Sequence, residues 1–157
     1  MSLEFSDKAK KTIDKIIASY PQKEAALLPV LHVIQKEFGQ ISAEEEILAA
    51  SLLGISQVKV REVVTFYTMF NRIAVGKYHI QVCSNLTCSL MGAANILNCI
   101  EEKLGIKPGE TTSDKKFTLS TVECLGACEL APSMMVNFDY HGHLDKEKID
   151  EILDNLE

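Results

Sequence analysis

No apolar run in this 157-residue chain approaches the ~18 residues that a membrane-spanning helix requires. The opening segment, Met1–Lys11, is polar and charged, which predicts no secretory signal and a cytoplasmic protein. No low-complexity stretch and no internal repeat occur. A G-x-G-x-x-G turn, a P-loop and a nucleophile–base pairing are all missing, so no nucleotide site and no catalytic side chain are expected. Basic charge is not in excess: the net charge is −6, which argues against a nucleic-acid partner, whose phosphates need a basic patch.

What is present suits one moderate domain or two small ones, and 46% apolar residues predict a globular chain. The charge is unevenly spread. Residues 1–75 hold nine Lys/Arg and nine Asp/Glu, whereas residues 76–157 hold seven Lys and thirteen Asp/Glu. The second half therefore carries the whole acidic excess and would suit a partner with a basic docking surface.

The chain reads as α+β, with an N-terminal helical bundle over residues 1–75 and a second domain over 76–157. Ser6 predicts the N-cap of a first helix carrying Ile13, Ile16, Ile17 and Tyr20, stopped by Pro21. A second helix is expected from about Lys23 to Phe38, with Leu27, Leu31, Ile34 and Phe38 on one face and Pro29 inside it, where it would kink the helix or cost a hydrogen bond. Ser42-Ala43-Glu44-Glu45 is a capping box opening a third helix that Gly54 closes. Ser56 caps a fourth, with Val60, Val63, Val64 and Tyr67 as its stripe. A bundle this small has a marginal core and is expected to pack on something else. Asn71 to Gly76 reads as a linker.

Beyond the linker, Tyr78, Ile80 and Val82 alternate with polar residues, which predicts a half-buried strand ending at Cys83. Ser89 is expected to cap a helix from Leu90 to Leu104, with Leu90, Ala94, Leu97, Ile100 and Leu104 inward. Phe117 to Thr121 and Met134 to Phe138 read as strands, and Tyr140–His143 as a turn that leads into a short fourth strand. Asp145 caps a last helix. The order is β-α-β-β-α, a helix-flanked α/β sandwich.

Five cysteines in a reducing compartment point to metal or redox chemistry rather than structural disulfides. Four of them form two loops: Cys83 and Cys88 as C-x4-C, then, after 35 residues, Cys124 and Cys128 as C-x3-C. Iron–sulfur clusters are held by thiolates, and a two-iron centre needs two pairs of ligands, one per iron. Such a centre carries about −2 when oxidised and about −3 when reduced, and so needs N–H donors around its sulfurs. Ser84, Thr87, Ser89, Gly126 and Ala127 keep these loops small enough to supply them. Zinc knuckles and thioredoxin-type redox pairs both favour C-x2-C spacing, which neither loop has. The plant-type ferredoxin pattern would need a cysteine where Met91 stands. A Rieske centre would need two histidines at the loops. Four incidental core cysteines are the plainest alternative, but each pair follows a predicted strand, where function concentrates.

These residues resemble the thioredoxin-like two-iron ferredoxin family. The likeness covers nearly the whole chain: the bundle, Phe66-Tyr67-Thr68-Met69-Phe70, Val82-Cys83 with Cys88 and Met91-Gly92, Leu104-Gly105-Ile106, and Cys124-Leu125-Gly126-Ala127-Cys128 with Ala131-Pro132. More narrowly, it is similar to the small iron–sulfur subunits of NADH:quinone oxidoreductases, with related subunits in NAD-linked formate dehydrogenases and in NAD-dependent or bifurcating hydrogenases. The resemblance implies a thioredoxin-like domain holding one [2Fe-2S] cluster, with Cys83 and Cys88 on one iron and Cys124 and Cys128 on the other. It implies a multi-subunit complex, without direct membrane insertion, on the cytoplasmic face of a membrane. A larger flavoprotein partner would carry FMN, a four-iron cluster and the NADH site, and the bundle would help dock it.

Two other readings of the cysteines stand beside this one: a metal-free thiol–disulfide enzyme and a zinc-stapled interaction module. Cys99, mid-helix and outside both loops, reads as a packed or semi-exposed thiol. His141 and His143 flank Gly142 in an expected solvated turn, and His32 reads as a core or interface histidine. Glu44, Glu45 and Glu46 favour the helix dipole rather than catalysis. Pro132 stands where thioredoxin-like folds often carry a cis proline.

Overall fold

Ser6 accepts the N–H of Ala9 and starts helix α1, Asp7–Ala18. The computed structural model describes residues 4–156. Two compact units divide the chain, one ending at Ala74 and the next beginning at Val75.

In the first unit a 3-10 turn, Lys23–Ala26, precedes α2, Leu27–Phe38. Pro29 therefore falls in the first turn of α2, where backbone N–H groups have no partner in any case, and no break occurs there. The expected kink is absent for that reason. Helices α3, Ala43–Leu53, and α4, Gln57–Phe66, follow their predicted caps. The Ser42 side chain and the Glu45 carboxylate satisfy each other's backbone as a capping box, and Ser56 accepts from Lys59.

The core of this unit is Ile13, Val30, Leu31, Ile34, Ile41, Ala49, Leu53, Val60 and Val64. Each fully buried Leu, Ile or Val contributes about 1.5–3 kcal/mol. Two charged side chains, Glu45 and Glu46, are buried beside them. Glu46 is 1% exposed, accepts from Arg61 Nε at 3.1 Å and from Gln57 Nε2 at 3.2 Å, and so does more than favour a dipole. His32, expected in a core or interface, is exposed and lies against the Phe70 ring.

The second unit is built on a four-stranded sheet in which β1 (Tyr78–Cys83) lies between β2 (Phe117–Val122) and β3 (Met134–Val136), with β4 (Asp139–His141) beyond β3. Strand β1, Tyr78–Cys83, is parallel to β2, Phe117–Val122, and antiparallel to β3, Met134–Val136. Being central, β1 is covered on both faces at its end, and Gln81 is buried opposite Ser120 and Met135. The half-buried strand expected from alternation is thus fully buried over its last residues. Strand β4, Asp139–His141, pairs with β3 through a two-residue turn at Asn137 and Phe138. Tyr140 and His141 therefore lie in a strand and not in the predicted turn.

The helical stretch after Cys83 also differs from expectation. A five-residue helix α5, Leu86–Leu90, capped by Asn85, is followed by α6, Ala93–Leu104. Between them Gly92 adopts φ +94, a left-handed conformation open to glycine. Ser89 is thus inside α5 and caps nothing. The break shifts the inward face, so Ala93, Ile96 and Ile100 are buried while Leu90 and Ala94 are exposed. Helix α7, Lys146–Asn155, starts at Asp145 as predicted and buries Ile149 and Leu153 against the same core.

Candidate iron–sulfur centre

Cys83 is the last residue of β1, and three hydrogen bonds, two of them between backbone groups, fix the loop it opens. Its N–H reaches the Ser133 carbonyl at 3.1 Å, and the Ser84 N–H and hydroxyl both reach Val122 O at the end of β2. Asn85 then turns the chain into α5. The helix carries Cys88 inward, and the Ser89 hydroxyl closes the loop on Ser84 O at 2.9 Å. Cys83 and Cys88 are both buried, in one apolar cluster with Ala93 and Ala131.

The second loop follows β2 by one residue. Cys124 and Cys128 are exposed, and all five cysteines are free thiols. Leu125, between them, packs on the cluster that contains Cys83 and Cys88. Beyond Cys128 the chain makes a 3-10 turn, Cys128–Leu130, and the Ala131–Pro132 bond is cis, as the motif suggested. His143 N–H and Leu144 N–H hold this segment at Leu130 O and Pro132 O.

Donors surround the sulfurs. Burial pushes the Cys83 thiol up, but N–H groups of Asn85 and Leu125 and the Cys88 thiol outweigh it, and the net shift is down, toward thiolate. The Gly126 N–H reaches Cys124 Sγ at 3.3 Å. The buried Ser133 hydroxyl lies 3.5 Å from Cys88 Sγ.

Among the described residues no three His, Cys, Asp or Glu side chains converge on one point where a single ion would sit. A two-iron centre asks for less at each metal, two thiolates per iron, and the cysteines lie in two such pairs. Donor type, pairing and N–H groups aimed at sulfur all fit that group. Cys99 lies in α6, half-buried and outside both loops. His141 ends β4 half-buried, and burial lowers its pKa.

The sequence model of thioredoxin-like [2Fe-2S] ferredoxins matches residues 13–157. The chain belongs to this family. Within it, the chain is similar to an NADH-quinone oxidoreductase subunit of Rhizobium meliloti (strain 1021), at 44% identity over 94% of this chain and 88% of that relative. It is equally similar to an NADH-quinone oxidoreductase subunit of Rickettsia conorii (strain ATCC VR-613 / Malish 7), at 44% identity over 98% of this chain and 93% of the relative. Among solved structures, the NAD+-reducing [NiFe]-hydrogenase in its H2-reduced state superposes with a TM-score of 0.71 at 22% identity. That match covers 83% of this chain and 22% of the hydrogenase chain, and it establishes a shared fold.

Two features of this ferredoxin site escaped the sequence reading. Ser133 carries no motif of its own, and only the fold brings it beside Cys88. The Leu125 N–H could not be placed because backbone direction inside a short loop leaves no trace in residue type.

Proposed function

We propose that this chain is the electron-carrying subunit of an NADH:quinone oxidoreductase, with Cys83 and Cys88 binding one iron of a [2Fe-2S] cluster and Cys124 and Cys128 the other. The observation that carries the ligand assignment is the packing of Leu125, from the second cysteine loop, against the buried cluster that holds Cys83 and Cys88. Such a cluster accepts and returns one electron at a time. The protein's own part is to seal Cys83 and Cys88 from water, to aim N–H groups at sulfur, and to leave the Cys124–Cys128 edge open toward a redox partner.

Relatives at 44% identity carry the quinone-oxidoreductase subunit name, which favours that complex over a hydrogenase or formate dehydrogenase. The partner is a larger flavoprotein subunit holding FMN, a four-iron cluster and the NADH site, at the cytoplasmic face of a membrane. Among the described residues no helix is long and apolar enough to cross a membrane. The helical unit serves as part of the docking surface. Val58, Phe66 and Ile73 support this role, being 67%, 76% and 72% exposed although apolar.

Iron and sulfide analysis of the Cys83→Ser and Cys124→Ser variants tests the ligand set. Each is expected to lose most of the cluster or to alter its spectrum. Wild-type content and spectrum in both would refute the assignment.

A further inference from the structure

We propose that Tyr140 is a positioning residue for the cluster, because its hydroxyl fixes the peptide group whose N–H reaches Cys124. The inference rests on the reading of Cys124 as a cluster ligand. The Tyr140 O–H donates to the Leu125 carbonyl oxygen at 3.3 Å. The N–H of that same peptide group belongs to Gly126 and donates to Cys124 Sγ at 3.3 Å. A peptide group is planar and trans, so its oxygen and its N–H point in opposite directions as one rigid unit. Holding the oxygen therefore aims the N–H.

The Leu125 side chain packs on the Cys83 cluster, while the Gly126 side of the peptide is open. Gly126 sits at φ +69, and no atom lies within 4 Å of where its Cβ would be, so neither sterics nor packing on that side opposes rotation of the peptide. Tyr140 is anchored independently, paired with Met135 in the β3–β4 hairpin. The sheet thus reaches across fifteen residues of sequence to orient the cysteine loop. Hydrogen bonds in series also polarise one another, so the hydroxyl strengthens the N–H as a donor.

The consequence is electrostatic. Reduction adds a negative charge to an already anionic centre, and a donor at a ligand sulfur stabilises the reduced form more than the oxidised one. Tyr140 therefore raises the reduction potential without touching a sulfur.

The test is a mediated redox titration of the anaerobic full chain, followed by EPR, on wild type, Tyr140→Phe and Tyr140→Leu, with resonance Raman spectra of each. Tyr140→Phe keeps the ring and removes only the hydroxyl. Both variants are expected to shift the midpoint to more negative potential and to move the Fe–S(Cys) stretching bands. If either assembles less cluster, EPR still reads the midpoint of the fraction formed. An unchanged midpoint in Tyr140→Phe would overturn the proposal, as would a shift confined to Tyr140→Leu, which would assign the effect to the ring. A wild-type chain that assembles no cluster would overturn the ligand reading as well, and so marks a different failure.

Discussion

Leu125, a residue between the two cysteines of the second loop, packs on the buried cluster that contains Cys83 of the first. Two loops separated by 35 residues thereby meet at one buried cluster. Its integrity depends on whatever keeps the second loop and the segment after it in place.

Gly142 is one such point. A Cβ there would stand against Leu130, 2.7 Å from its carbonyl oxygen and closer still to its Cβ, and two backbone segments are less able to give way than a side-chain tip. Gly142→Ala is expected to cost about 1–3 kcal/mol by overpacking and to lower cluster content by displacing the turn that begins at Cys128. Urea unfolding and iron analysis of the variant check both effects.

The buried carboxylate of Glu46 makes an asymmetric prediction. Arg61→Ala leaves that carboxylate without its cation, and because Arg61 is half exposed the loss is expected to be about 1–3 kcal/mol, below that of a fully buried pair. Glu46→Gln keeps the hydrogen-bonding shape, removes the charge that needs pairing, and should cost about 1 kcal/mol or less. Equilibrium unfolding of the two variants ranks them, and the reverse order would count against the pairing.

Ser42 gives a third. Its side chain and Glu45 close the start of α3, and Ser42→Ala is expected to cost about 1 kcal/mol. Thermal unfolding reads this directly.

His79 gives a pH dependence. Burial lowers its pKa in the folded chain, and its Nε2 lies 2.8 Å from Ser120 Oγ. The unfolded chain therefore binds a proton more readily than the folded one. Stability is full above the ordinary histidine pKa of about 6.5 and falls as pH drops through it toward the folded value. His141 shifts in the same direction through burial and adds to the fall. His79→Gln should flatten the decline between wild type at pH 8 and pH 5.5, measured as urea midpoints. An equal decline in the variant would show that His79 does not contribute.

Much of this was legible in residue types. Ser6, Ser42, Ser56 and Asp145 cap the helices they were expected to cap, because a short polar side chain ahead of an apolar periodic stretch has few other uses. That each cysteine pair follows a strand was legible, because apolar alternation precedes both Cys83 and Cys124. The break at Gly92 was not, since Leu90, Ala94, Leu97, Ile100 and Leu104 fit one continuous helical stripe. The chain gives up that stripe to turn Cys88 inward, and periodicity does not record that need. Glu46 looked like one more acidic residue in a first turn, and its burial depends on Arg61, a helix away. Tyr140 read as part of a turn because the tight hairpin falls at Asn137, whose φ of +55 is one asparagine tolerates.

Whether this chain holds a [2Fe-2S] cluster is read from the visible absorption spectrum of the anaerobically purified full chain before and after dithionite. A red-brown protein is predicted, with broad bands between roughly 400 and 600 nm that bleach on reduction. A protein that stays colourless after reconstitution with iron and sulfide would contradict it.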